Sequence, residues 1–193
     1  MKFKHINEIE KATRQGQNEL FRFGVALLFI IGVMLYSSTL EIAADSIPSG
    51  GLLLIVAAII GGYMAMNIGA NDVANNVGPA VGSQAITMGG ALLLAAVFEM
   101  AGALIAGGDV VETIRDGIIR SASVADREVF VWLMMSALLA GALWLNFATA
   151  IGAPVSTTHS IVGAVLGAGV VAAGWDAVNW DAMLGIAISW LVS

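Results

Sequence analysis

Two short stretches concentrate the polar side chains of an otherwise apolar chain. "NIGANDVANNVGPAVGSQAIT" occupies residues 67–87 and "NFATAIGAPVSTTHS" residues 146–160. The first sets Asp72 among Asn67, Asn71, Asn75 and Asn76. A carboxylate with neutral amide oxygens around it suits a small cation such as Na+. The second places Ser156, Thr157 and Thr158 in a row behind Pro154. Proline is tolerated in the first turn of a helix but not in its interior, so Ser156 or Thr157 is the natural N-cap. The first backbone N–H groups of a helix have no intrahelical partner, and the positive end of the helix dipole lies behind them. With three hydroxyls added, this is the outline of an anion site. A carboxylate beside an anion repels it unless a cation lies between them or the carboxyl is protonated. Asp72 with the four asparagines is thus the cation candidate, and Ser156, Thr157 and Thr158 are the anion candidates. A plainer reading stays open for both: hydroxyls that only cap a helix, and an Asp72 that caps the next helix at the water interface.

Glu99 is a third point of interest. It interrupts an apolar run, where a charged carboxylate costs roughly 2.5–3.5 kcal/mol on insertion scales. It must face protein, carry a proton or find a partner, and a structural hydrogen bond to another helix is the plainer reading. Ser83 and His159 are secondary candidates. His5, in the polar head, reads as solvated.

The elements that position these residues are membrane helices. Of 193 residues, 59% are hydrophobic and 11% charged, and the mean hydropathy is +0.89. Soluble domains are roughly 45–50% apolar and about 25% charged, so the chain reads as an all-α polytopic membrane protein. Apolar runs predict spans at 23–40, 50–68, 87–107 and 129–151. A shorter run at 161–174 predicts a half-helix, and 181–193 begins a sixth element. Non-helical backbone at membrane depth survives only in protein or beside a watery cavity. The two polar stretches, rich in Gly and Pro, therefore predict two broken-helix motifs of the kind that secondary transporters use to bind substrate. The connector at 107–128 reads either as a solvated loop or, from Val110, Val111, Ile114, Ile118 and Ile119, as a short interfacial helix.

The charges orient the chain. Residues 1–22 carry five basic and three acidic side chains, which places this head in the cytoplasm by the positive-inside rule. Glu41 and Asp45 then fall outside. So does 107–128, with three basic and five acidic residues. A cleaved signal peptide ending near "EIAADS" is the rival for 1–44, but the polar head is long for one and a retained helix fits better. A net charge of −6 argues against nucleic acid as partner. The absence of cysteine excludes disulfides and thiolate chemistry.

"GANDVANNVGPAVGS" closely resembles the defining signature of the inorganic phosphate transporter (PiT) family. "VFEMAGALIAGGDVVETIRDGII" (97–119) resembles the segment that follows it there, and "PVSTTHSIVGAVLGAGV" (154–170) the family's second signature. The resemblance covers about residues 50–193. Many members carry Thr where Pro79 stands, and a small residue or Lys where Gln84 stands. The resemblance implies secondary transport of inorganic phosphate by symport with Na+ or H+ in the plasma membrane, with no other cofactor. It implies that Asp72, Asn71, Asn75 and Glu99 serve the coupling cation, and that Asp72, Ser156, Thr157 and Thr158 hold phosphate. It implies an inverted repeat of two halves, of which this chain has one copy of each signature. Residues 1–22 are then a cytoplasmic head, 23–49 an added helix with its outer loop, and 50–193 the first repeat, cut short at its C-terminal end. A second half, from the same gene or a partner chain, and a homo-oligomer are the implied partners, with the bilayer as solvent.

Three alternatives remain at this point. Sulfate is tetrahedral like phosphate, but it has no proton to donate to a carboxylate, so Asp72 favours phosphate. A half that only assembles, without transporting, is the second. The third is an intramembrane serine hydrolase using Ser156 or Ser160 with His159; no G-x-S-x-G turn is present, and helix neighbours at i, i+1 do not face each other.

Overall fold

The computed structural model describes residues 2–39, 50–124 and 126–192, with side chains from residue 20 onward. It is helical: α1 Lys2–Ser38, α2 Gly50–Gly82, α3 Met88–Glu112, α4 Arg127–Ala150, α5 Thr157–Ala173 and α6 Trp180–Val192. Four stretches are long and apolar enough to cross a membrane: Leu20–Ser38, Leu52–Gly82, Met88–Gly117 and Arg127–Ala150. α5, with 17 residues, falls short of the roughly 20 that a span requires. The expected outer loop, with Glu41, Asp45 and "EIAADS", lies outside the described residues.

The chain divides into two compact units, Met1–Gly62 and Tyr63–Ser193. In the first, the polar head is not a separate element, because α1 runs unbroken from Lys2 into the apolar stretch. A Cβ on Gly62 of α2 would meet Ile30 of α1 at 3.1 Å, so the bare glycine lets the two helices approach.

In the second unit α4 and α5 form a hairpin joined by residues 151–156. Ala142 and Leu145 of α4 are fully buried against Met64 of α2. Gly141 permits that contact, since a Cβ there would stand 3.2 Å from Met64 Cε.

Two expectations need correction. The first concerns where the break expected within 67–87 falls, since the sequence reading puts it at Asp72 and its asparagines. α2 instead continues to Gly82, with Pro79 inside it. Each Gly or Asn costs a helix at most about 1 kcal/mol. An unpaired backbone group in an apolar medium costs more, so the helix holds. The break comes at residues 83–87, where Gln84 adopts φ 61 and Thr87 caps α3 by accepting the Gly90 N–H at 3.2 Å.

The second concerns 107–128, which is not one uniform loop or helix: it starts as the end of α3, is exposed at 120–123, and is buried between them at Ile118 and Ile119. α3 passes into a π-helical turn at Thr113–Gly117. Ile118 and Ile119 then enter the core, both fully buried, with Val162, Val165, Ala177 and Val178. An antiparallel bridge of Ile119 with Val178 holds this segment: Arg120 N–H donates to Ala177 C=O and Asn179 N–H to Ile118 C=O, both at 2.9 Å. The isoleucines that suggested an interfacial stripe fill the core because burying them removes more apolar surface from water than a surface stripe would.

Candidate functional site

Because α2 is continuous, its asparagines follow helical spacing. Asn67, Asn71 and Asn75 are four residues apart and share one face. Asn67 and Asn71 are buried, at 7% and 3% exposure. Asn67 Nδ2 donates to the Tyr63 carbonyl at 2.8 Å, and its Oδ1 accepts from Asn146 Nδ2 of α4 at 3.1 Å. Asn75 Nδ2 donates to Asn71 Oδ1 at 3.0 Å and to the Val155 carbonyl at 3.3 Å. Asp72, half-buried beside this row, receives the Thr157 hydroxyl, whose Oγ1 lies 3.2 and 3.3 Å from its two carboxylate oxygens.

The other wall is the α4–α5 connection. Gly152 at φ 70 turns the chain, and the Ala153 N–H returns to Ala148 C=O at 2.8 Å. Residues 153–156 then run extended past α2. Ser156 caps α5: its Oγ accepts the His159 N–H at 3.3 Å. Pro154 stands before the cap, not in the first turn. α5 accordingly starts at Thr157, four residues ahead of the run at 161–174.

Three successive side chains at a helix start diverge by about 100° each, and the three hydroxyls do so here. Thr157 points to Asp72. Ser156 lines a cavity of about 420 Å³ with Trp144, Val155, His159 and Ser160. Thr158 lines a different cavity of about 340 Å³, with Asp109, Thr113, Ser189 and Trp190 among its walls. A single anion held by all three side chains is therefore not what this arrangement offers. A small cavity of about 240 Å³ lies between α2 and the connection, lined by Asn71, Asn75, Thr149, Gly152 and Pro154 among others.

The remaining candidates are not brought to this place. Glu99 is exposed on α3 and makes no hydrogen bond or ion pair among the described residues. Ser83 is exposed and donates to its own helix, to Ala80 C=O at 3.2 Å. Asn76 is exposed on the next face of α2. Asn146 and Trp190 were not singled out from the sequence. Asn146 stands at the head of the second polar stretch, an amide inside the apolar run 129–151, and that was its signal. Trp190 had none.

His159 and Ser156 do meet, with Nδ1 and Oγ 2.7 Å apart, because they stand three residues apart at the start of a helix. A nucleophile also needs its base oriented by a third group. Here the imidazole stacks on Trp190 of α6, ring centroids 3.7 Å apart. No carboxylate hydrogen-bonds to it among the described residues.

A single small region thus combines a carboxylate, amide oxygens and backbone carbonyls with a capped helix N-terminus. The first set can coordinate a cation, the second an anion, and the Asp72–Thr157 contact is their shared boundary.

Comparison with known proteins gives the same direction. The profile of the phosphate transporter family matches residues 68–193. A Helicobacter pylori protein named "Putative phosphate permease" is 55% identical over 193 residues, which is 100% of this chain and 36% of that protein. A Chlamydia trachomatis protein of the same name is 48% identical over 143 residues, 73% of this chain and 34% of that one. A solved structure titled "The sodium-dependent phosphate transporter" shares 47% identity and a TM-score of 0.69, covering 73% of this chain and 35% of its own. The chain spans about a third of the length of these relatives.

Proposed function

The chain belongs to the phosphate transporter family, and from that premise we propose that it forms the first half of a secondary transporter moving inorganic phosphate across the membrane by symport with Na+. The observation that carries this reading is the contact of Thr157 with Asp72 at 3.2 Å, which joins the two signature stretches 85 residues apart. Asp72, Asn71 and Asn75 hold the cation. The N-terminus of α5, with Thr157 and Ser156, receives the phosphate, and Thr158 lies too far round the helix to share it. Na+ is preferred over H+ because most of the oxygens here are neutral amides and carbonyls. The solved relative's title names sodium as well. A half contributed by the same gene or a partner chain completes the path, and Glu99 meets its partner there. The N-terminus is cytoplasmic and the membrane is the plasma membrane.

The test is initial phosphate uptake by proteoliposomes holding the transport-competent assembly, driven by a Na+ gradient or a pH gradient, with sulfate as competitor. Uptake that follows the Na+ gradient and resists sulfate is expected. Uptake driven only by the pH gradient would replace Na+ by H+, and sulfate transport at equal rate would remove the phosphate reading.

A further inference from the structure

The contact between Ser156 and His159 does more than cap a helix. Two hydrogens are in play around Ser156 Oγ: its own, and one that the His159 ring carries at either Nδ1 or Nε2. The 2.7 Å gap between Oγ and Nδ1 holds only one of them. If Ser156 donates, its hydrogen is spent on the ring, and Oγ offers only lone pairs to an approaching anion. If Nδ1 carries the hydrogen, Oγ accepts twice, from the ring and from the His159 N–H at 3.3 Å. The serine hydrogen is then free to point away from the helix. Ser156 is an anion donor only in the second arrangement.

Trp190 fixes the ring that makes this choice. The two rings stack at 3.7 Å and 24°, and they line different cavities, His159 that of Ser156 and Trp190 that of Thr158. The stack covers a face of the imidazole and leaves its edge, with both nitrogens, available. α6 thereby holds Nδ1 against the cap of α5.

We infer that His159, clamped by Trp190, is a positioning residue that orients the Ser156 hydroxyl toward the transported anion by donating from Nδ1. This rests on the anion site proposed above at the start of α5. Anion binding and the Nδ1–H form of His159 are then linked: each favours the other.

The test uses the transport-competent assembly in nanodiscs with inorganic phosphate as probe. The His159 signal is identified as the imidazole resonance that is lost in the His159→Phe variant of the same assembly. In 15N spectra of labelled protein, saturating phosphate should move the Nδ1 resonance into the N–H range. An Nδ1 that stays unprotonated with phosphate bound would overturn the inference without any substitution in the site. In uptake assays, Ser156→Ala and His159→Phe should each raise KM for phosphate about tenfold, the worth of one hydrogen bond, with kcat little changed. Phe preserves the stack and lacks Nδ1. The double variant should be no worse than either single one, because His159 acts through Ser156. Additive losses, or a His159→Phe variant with wild-type KM, would sink the inference while phosphate transport stands. If the wild-type protein takes up no phosphate, the underlying reading falls and the inference with it.

Discussion

Thr157 places its hydroxyl 3.2 and 3.3 Å from the two carboxylate oxygens of Asp72, across the gap between α5 and α2. A hydroxyl has one hydrogen to give. While Thr157 gives it to Asp72, it cannot give it to an anion. A phosphate 4 Å from an ionised Asp72 would be repelled by about 4 kcal/mol at a surface-like effective dielectric of 20. That exceeds the roughly 1.5–3 kcal/mol returned by a hydrogen bond to a charged group. A cation at Asp72 removes the repulsion and replaces the hydrogen that Thr157 withdraws, so cation binding should precede anion binding.

Asp72→Asn should therefore abolish stimulation of phosphate uptake by Na+ while the protein still inserts at normal levels. Asp72→Glu, which moves the charge by one methylene, should impair uptake less. Initial rates against Na+ concentration check both. An Asn variant with wild-type cation dependence would reduce Asp72 to a helix-surface residue.

Thr157→Val removes the shared donor and leaves the shape. It should raise the KM for phosphate by roughly tenfold, equivalent to about 1.4 kcal/mol. Thr158→Val, whose side chain faces another cavity, should leave KM close to wild type. Equal losses in the two variants would mean that both hydroxyls reach the anion.

The Asn67–Asn146 bond should tie α2 to α4. Asn146→Leu leaves Asn67 Oδ1 without its partner, and should cost about 0.6–2 kcal/mol, the range for interhelical hydrogen bonds in membranes. Thermal unfolding in detergent reads this. The Asn67→Leu, Asn146→Leu double variant should lose less than the sum of the singles.

Gly169 is a packing requirement. A Cβ there would fall onto Ile119 Cδ1, in the fully buried centre of the core. Gly169→Ala should lower the melting temperature clearly, and should cost less in an Ile119→Ala background where the room exists. Equal costs in both backgrounds would show that the 118–120 segment can shift away.

Topology is open to direct labelling in a cysteine-free background, and these 193 residues contribute no cysteine of their own. A single cysteine at Ser121 should react with an impermeant reagent on intact cells, and one at Lys11 should not. The reverse pattern would invert the orientation drawn from the basic head.

The sequence by itself determined the class, the number of long apolar helices and the two stretches that meet at the candidate site. These are local quantities: hydropathy summed over about 20 residues, and side chains that are costly in lipid unless used. Asp72 and Thr157 were legible as candidates for this reason. What the sequence could not decide was where α2 stops. Gly, Asn and Pro argue for a break when each is weighed alone, whereas the helix continues because unpaired backbone in an apolar medium costs more. That continuity sets Asn67, Asn71 and Asn75 on one face. Nor could spacing say which of three adjacent hydroxyls meets Asp72, since that depends on how α5 is rotated against α2. Ile118 and Ile119 became core, and Trp190 came to cover His159, through packing between residues far apart in the chain. Such contacts are fixed by the fit of whole surfaces, and only the tertiary structure decided them.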